Sequence, residues 1–145
     1  MRATTHRPAP RNALLALTGC LAILALLFLF NFKLFLTSGP SMEPTYTEGT
    51  WVMAHRRYAD PKNDDLVFLL HNGYYCLKRV AFIAGEDVSP HGYEGYWGSN
   101  VVPEGYVFVL GDNAAESADS RDPKFGLVKI SDIWGMPVSP RQKGE

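Results

Sequence analysis

Leu66-Val67-Phe68-Leu69-Leu70, then His71-Asn72-Gly73, then Tyr74-Tyr75-Cys76-Leu77-Lys78-Arg79-Val80-Ala81-Phe82-Ile83 is a pair of apolar runs on either side of a turn signal. Asn and Gly tolerate the positive φ that a tight turn demands, so the stretch reads as a β-hairpin. Working outward, Thr50–His55, Val101–Val102 and Tyr106–Leu110 are further β-branched, aromatic and leucine-rich runs. Asp60-Pro61, Gly85, Pro90 and Pro103-Glu104-Gly105 punctuate them. No stretch after Leu36 sustains an i, i+3, i+4 apolar pattern. The reading is mostly β: a small antiparallel sheet domain, with Glu86–Asn100 as a loop and no internal repeat.

Ahead of that domain lies a different kind of sequence. Ala13 to Phe30 is 18 residues without a charge. As a helix rising 1.5 Å per residue it is roughly 27 Å long, close to a bilayer core. Phe32, Leu34, Phe35 and Leu36 extend the apolar run, and Lys33 can snorkel to the interface. A cleavable signal sequence is the alternative, but its apolar core is normally about 7–15 residues. Thr37-Ser38-Gly39, the one small-residue site after the run, is followed by Pro40, an awkward neighbour for a bond to be cut. Arg2, Arg7 and Arg11 precede the run, so the positive-inside rule keeps the N-terminus in the cytoplasm and exports the rest. The expected organisation is a cytoplasmic tail over 1–11, one transmembrane anchor over 12–36 in the inner (cytoplasmic) membrane, and an extracytoplasmic domain over 37–145.

About 105 residues remain for that domain, enough for one fold and too few for two. The net charge of -1, with Lys and Arg scattered, leaves no basic footprint for nucleic acid. Cys20 falls in the anchor and Cys76 in the soluble part, so no disulfide is expected. The four histidines are dispersed, with no spacing for a metal site or a Ser-His-Asp triad. Neither cofactor nor metal is expected.

Three short stretches carry candidate chemistry. Ser41 follows Gly39-Pro40 and precedes Pro44, in a loop that can be stiff enough to hold a hydroxyl. Taken alone it is an ordinary turn serine. Lys78 sits in an apolar strand, on the face of Cys76 and Val80, while Arg79 shares the other face with Leu77 and Ala81. A lysine buried there responds by a lowered pKa, and neutral lysine can take a serine proton; on an edge strand it would simply point to solvent. Gly111-Asp112-Asn113 follows the run Tyr106–Leu110 and leads to Ser117, Asp119 and Arg121. Ser117 can hydrogen-bond an amine, and Asp119 can pair with Arg121 to pin the loop, or form a surface ion pair of little weight. A serine, a lysine base and a loop to orient it, just beyond a membrane span, make a peptidase working at a membrane surface.

The chain resembles the type I signal peptidases of the peptidase S26 family, membrane-bound Ser/Lys proteases. Ser41-Met42-Glu43-Pro44-Thr45 is similar to the family's serine box, and Tyr75–Val80 with Gly85-Glu86-Asp87 to its lysine box. Asp65-Leu66-Val67-Phe68 is similar to a strand box, and Gly111-Asp112-Asn113 with Ser117, Asp119-Ser120-Arg121 and Gly126 to the last. The boxes fall in family order between about Gly39 and Val128. The resemblance implies a signal-peptidase core in which Ser41 is the nucleophile, Lys78 the general base and Ser117 the group orienting Lys78, with Asp112, Asp119 and Arg121 in support. Gly39 stands where some members carry an oxyanion-hole serine, which leaves the hole to backbone N–H groups, Ser41's among them. Ala114 replaces the usual basic residue, and the short stretch from Lys78 to Gly111 lacks the accessory domain of larger members.

The implied partners are membrane lipid and an exported preprotein, held extended with small residues such as alanine at the position before the cut and two earlier. Met42, Phe68, Tyr75 and Val80 are the candidates for lining those pockets. The compact size also resembles the TraF-type peptidases of conjugation, whose substrate is a pilin precursor, while the complete serine and Gly-Asp-Asn boxes favour general signal-peptide cleavage. A membrane-tethered β domain that only binds is the non-enzymatic reading, and it needs neither Ser41 nor Lys78.

Overall fold

The computed structural model describes residues 11–56 and 59–139. Arg2, His6 and Arg7 lie outside them. The chain divides into two compact units, 1–32 and 33–145.

The first holds α1 (Arg11–Asn31), whose residues 12–31 are apolar around the whole circumference, long enough to cross a membrane and unburied by protein. The helix stops at Asn31, whose side-chain amide donates to the Leu27 carbonyl 2.7 Å away, competing with the ladder it would otherwise continue. The apolar run goes on, but not as helix. Residues 32–36, read from sequence as an extension of the span, are strand β1 (Phe32–Leu36).

The second unit is built on one seven-stranded sheet. Its further strands are β2 (Trp51–Arg56), β3 (Leu66–His71), β4 (Tyr74–Phe82), β5 (Tyr106–Leu110), β6 (Val128–Lys129) and β7 (Ile133–Pro137), in the spatial order β1-β2-β7-β3-β4-β5-β6. The hairpin β3–β4 is its centre, in unbroken antiparallel register from Leu66↔Arg79 to His71↔Tyr74. Its turn is two residues, Asn72 (φ 50°) and Gly73 (φ 84°), both in the left-handed region that sequence assigned them. β5 joins β4 only from Arg79↔Leu110 onward, so among the described residues β4 from Tyr74 to Lys78 has β3 on one side and no registered strand partner on the other. That half-open strand positions the site.

Val101–Val102, expected as a strand, forms only an isolated bridge through Asp87↔Val101. β7 was not expected, because it contains Gly135 and ends in Pro137. Gly135 is there for space: a Cβ on it would collide with the His55 carbonyl of β2. The core falls into three neighbouring clusters. Met42, Tyr46, Val52, Leu66 and Phe68 lie under the Ser41 loop; Val67, Leu69, Val80, Val107 and Val109 fill the centre; Phe82, Val88, Val102 and Phe108 hold the far end.

Candidate active site

The Ser41 loop is pinned from below. Met42, Thr45 and Tyr46 are buried, and the chain closes on itself through Glu43 N–H to the Pro40 carbonyl (3.0 Å) and Tyr46 N–H to the Met42 carbonyl (2.9 Å). The Tyr46 hydroxyl reaches the Ser139 carbonyl at 3.2 Å. Ser41, half-buried, stands at the rim, and its own carbonyl accepts from Asn113 N–H at 3.1 Å. Gly39 has φ 78°, so the chain enters the loop in a conformation that a side chain would strain.

Lys78 lies on the half-open stretch of β4 and is 4 % exposed. Burial pushes its amine below the ordinary lysine range; Cys76 and Asp119 oppose that, and Arg121 adds to it. Nζ donates to Ser117 Oγ at 3.0 Å. Ser117 in turn acts on Asp119, helping to lower that carboxyl. Burial alone would raise Asp119, but the side chain of Arg121, Gly111 N–H and Ser117 outweigh it. Arg121 grips it with two bonds of 2.7 Å, and Gly111 N–H donates at 2.9 Å. Asp119 is 1 % exposed and Arg121 only partly exposed, so the pair closes over a buried carboxylate beside the lysine's partner.

Gly111 is where these parts meet. A Cβ there would run into the side chain of Ser117 and the carbonyl of Ser41. Glycine is needed for close approach, since its φ is not in the left-handed region.

Asp112 points the other way, into a second buried knot. It accepts from Arg79 Nε and Nη2, both at 2.8 Å, and from the Thr45 hydroxyl at 2.6 Å, while Arg79 Nη1 reaches the Asp64 carbonyl at 3.0 Å. The hydrogen bond to Asp112 is the main reason the Arg79 guanidinium is held above its ordinary value. One carboxylate therefore ties the Ser41 loop, the Lys78 strand and the Gly111-Asp112-Asn113 turn together. Sequence placed Asp112 in the site but gave Arg79 and Thr45 no part in it. A buried arginine in an apolar strand was the available signal.

Ser41, Gly39 and Lys78 line one cavity of about 150 Å³. Of the four residues expected to line it, Met42, Phe68 and Tyr75 do; Val80 does not. Val80 is fully buried opposite Val109, because the opening ends where β5 begins to pair. Cys76, Leu77, Tyr46 and Phe35 line it too, with Leu36, Thr37 and Ser38. Phe35 stacks on Phe68 (centroids 4.2 Å) and meets Tyr75 and Trp134 edge-on, which fixes the segment leading to Gly39. Lys33 lays its ammonium over Tyr75 and Trp134, 4.8 and 4.7 Å from the ring centres.

The sequence model of the family described as signal peptidase, peptidase S26, matches residues 11–94 and 89–140. Similar curated proteins include the mitochondrial ATP-independent inner membrane protease subunit 1b of Arabidopsis thaliana, 33% identical over 110 residues, spanning 66% of this chain and 64% of that protein. Signal peptidase I of Bacillus caldolyticus is 28% identical over 149 residues, covering 78% and 81%. Mitochondrial inner membrane protease subunit 1 of Schizosaccharomyces pombe is 31% identical over 125 residues, covering 74% and 77%. With most of the sequence and the whole sheet domain inside these matches, the chain belongs to the signal peptidase family, peptidase S26, the membrane serine proteases.

Proposed function

We propose that the chain is a membrane-bound endopeptidase that removes signal peptides from exported proteins, with Ser41 as nucleophile and Lys78 as general base. The observation that carries this is that both residues line the same cavity, with the lysine buried, its amine depressed, and one of its N–H bonds committed to Ser117.

The chemistry follows from those groups. Neutral Lys78 gives one hydrogen to Ser117, so the amine is oriented and its lone pair is free for the Ser41 proton. Ser41 Oγ attacks the scissile carbonyl, and the oxyanion is met by backbone N–H groups, Ser41's among them, since Gly39 brings no hydroxyl. As the C–N bond breaks, Lys78 returns the proton to the leaving amine. It then deprotonates the water that opens the acyl ester. Asp119 and Arg121 keep Ser117 in place; Asp112, with Arg79 and Thr45, fixes the serine loop against the lysine strand.

The domain organisation fits that task. A helix able to span a bilayer ends at Asn31, ten residues before Ser41 in sequence, so the chain itself tethers the sheet domain to a membrane. By the positive-inside rule the N-terminus is cytoplasmic and the sheet domain outside, where exported preproteins emerge. The test is cleavage of an Ala-x-Ala preprotein by the full chain in vesicles. Ser41→Ala and Lys78→Ala should each lose several orders of magnitude in rate while keeping the wild-type melting transition. Near wild-type cleavage by either variant removes that residue from the mechanism. Cleavage confined to a pilin precursor, with the ends joined, selects the conjugation-type substrate instead.

A further inference from the structure

Glu86–Asn100 contributes no side chain to the cavity beside Ser41. It is nevertheless a rigid piece. Its neck is closed by Gly85 N–H to the Val102 carbonyl (2.8 Å), Val102 N–H to the Glu86 carbonyl (2.9 Å) and Val88 N–H to the Asn100 carbonyl (2.9 Å). Its middle is pinned to the sheet by aromatic rings: Tyr93 lies 5.4 Å and Trp97 6.2 Å from Phe108, and Tyr93 meets Phe82 at 5.9 Å. Phe82 ends the strand that carries Lys78, and Phe108 lies in the strand that leads to Gly111. The loop is thus a brace fixed to both strands that present the site.

From this brace one hydroxyl reaches the catalytic loop. Tyr96 Oη donates to the Ser120 carbonyl at 2.9 Å. Ser120 is fully buried and bonded at its other polar atoms too: its N–H to the Val109 carbonyl (3.0 Å), its Oγ from Val109 N–H (3.0 Å) and to the Gly126 carbonyl (2.8 Å). It stands between Asp119 and Arg121, whose pairing holds Ser117 and, through it, Lys78. Burial, with Asp122 and Asp119 acting in the same sense, pushes the Tyr96 phenol up to about 12, so it remains a donor throughout the enzyme's working range. The ring packs edge-on against Trp97 at 5.0 Å, a contact that does not depend on the hydroxyl.

We propose that Tyr96 is a positioning residue for the general base: its hydroxyl holds the Ser120 peptide, and through the Asp119–Ser117 connection it fixes the Lys78 amine. This rests on the assignment of Lys78 and Ser117 above. In effect, the short loop between Lys78 and Gly111 braces the catalytic loop.

The experiment is steady-state kinetics against pH with the full-length protein in vesicles and an Ala-x-Ala peptide. Tyr96→Phe keeps the ring and removes one hydrogen bond. Its kcat should fall roughly three- to tenfold, a modest share of what about 1 Å of misplacement can cost. KM should stay within about twofold, because Tyr96 is absent from the cavity lining. The acid limb of the rate profile should move to higher pH, because a loosened loop admits water to Lys78 and lets its pKa climb back. Trp97→Phe, which keeps an aromatic ring toward Tyr96 and Phe108 but loses the indole bond to the Val101 carbonyl inside the brace, should leave kcat and the limb at wild type. The proposal is overturned if Tyr96→Phe keeps a wild-type kcat or an unmoved limb, even with a lower melting temperature. It is equally overturned if Trp97→Phe reproduces the whole effect. Ser117→Ala, run alongside, separates the two levels: an unmoved limb there sinks the reading of Ser117 itself, whereas a shift there without one in Tyr96→Phe sinks only the role of Tyr96.

Discussion

Lys78 Nζ and Ser117 Oγ lie 3.0 Å apart, with the lysine 4 % exposed. An amine so placed is costly to protonate. Burial is the leading cause of its lowered pKa, and its partner offers an acceptor that suits a neutral amine as well as an ammonium.

Two consequences follow for Lys78. In activity, cleavage should rise with pH along the titration of a lysine shifted below its ordinary value of about 10.4. Lys78→Arg should stay inactive at every usable pH, because arginine keeps its proton. In stability the sign runs the same way. A depressed folded-state pKa means that the unfolded chain holds more protons between the folded value and about 10.4, so stability rises with pH across that window. Lys78→Met, which fills the space without a charge, should therefore melt higher than wild type at pH 7, with the gap closing as pH approaches 10. Thermal melts at both pH values check it; a lower melting temperature for Lys78→Met at pH 7 contradicts the burial cost.

Asp112 should matter to folding as much as to catalysis. Asp112→Ala removes the acceptor of both Arg79 bonds and of the Thr45 hydroxyl, and leaves a guanidinium buried beside apolar strands. Breaking a buried pair from one side costs roughly 3–5 kcal/mol. Asp112→Asn keeps an oxygen for Thr45 but loses the charge, and should fall between. Urea unfolding of the three proteins gives the order directly, and wild-type stability in Asp112→Ala would show the knot to be dispensable.

Gly111→Ala tests close packing without touching a polar group. The new methyl displaces either the Ser117 side chain or the Ser41 carbonyl, and both moves disturb the geometry of the Ser41–Lys78 cavity. A loss of about 10²-fold in kcat is expected, on the scale of a misplacement of about 1 Å. Single-turnover acylation measures it, and an unimpaired variant would mean that the two loops have room to part.

The central hairpin was legible because everything that specifies it is local: two apolar runs and an Asn72-Gly73 turn whose φ values only such residues accept readily. Ser41, Lys78 and the Ser117–Arg121 loop were legible as residue types whose chemistry is interdependent. β7 was not, since Gly135 and Pro137 weaken the local strand signal, and the reason for Gly135 is a carbonyl on β2, about 80 residues away in sequence. β1 was hidden by being apolar enough to be counted with the span it follows. The Arg79–Asp112–Thr45 knot joins three separate segments, and nothing in any one of them names the other two. Val80 was misplaced because strand alternation gives the face but not where a neighbouring strand closes over it.

The cavity beside Ser41 predicts what the enzyme will cut. An extended peptide laid along the half-open part of β4 places alternate side chains on the enzyme's side, so the residue before the cut bond and the one two earlier share this lining. At about 150 Å³ the cavity holds the equivalent of roughly five waters at ~30 Å³ each, shared between the two positions. Two alanine methyls share that space easily, whereas one leucine or phenylalanine would take most of it and crowd the other position. Ala-x-Ala peptides should be cut, and a bulky residue at either place should lower kcat/KM by about 10²-fold or more, since the peptide can bind only with its carbonyl displaced from Ser41. Tyr75 is the wall most easily removed, lining the cavity yet 43 % exposed. Tyr75→Ala should recover part of the cleavage of a bulky variant while still cutting Ala-x-Ala. Competition between the alanine and leucine peptides, read by mass spectrometry of the products, gives the ratio for each enzyme. Equal cutting by wild type, or an unchanged ratio in Tyr75→Ala, would separate substrate choice from this cavity.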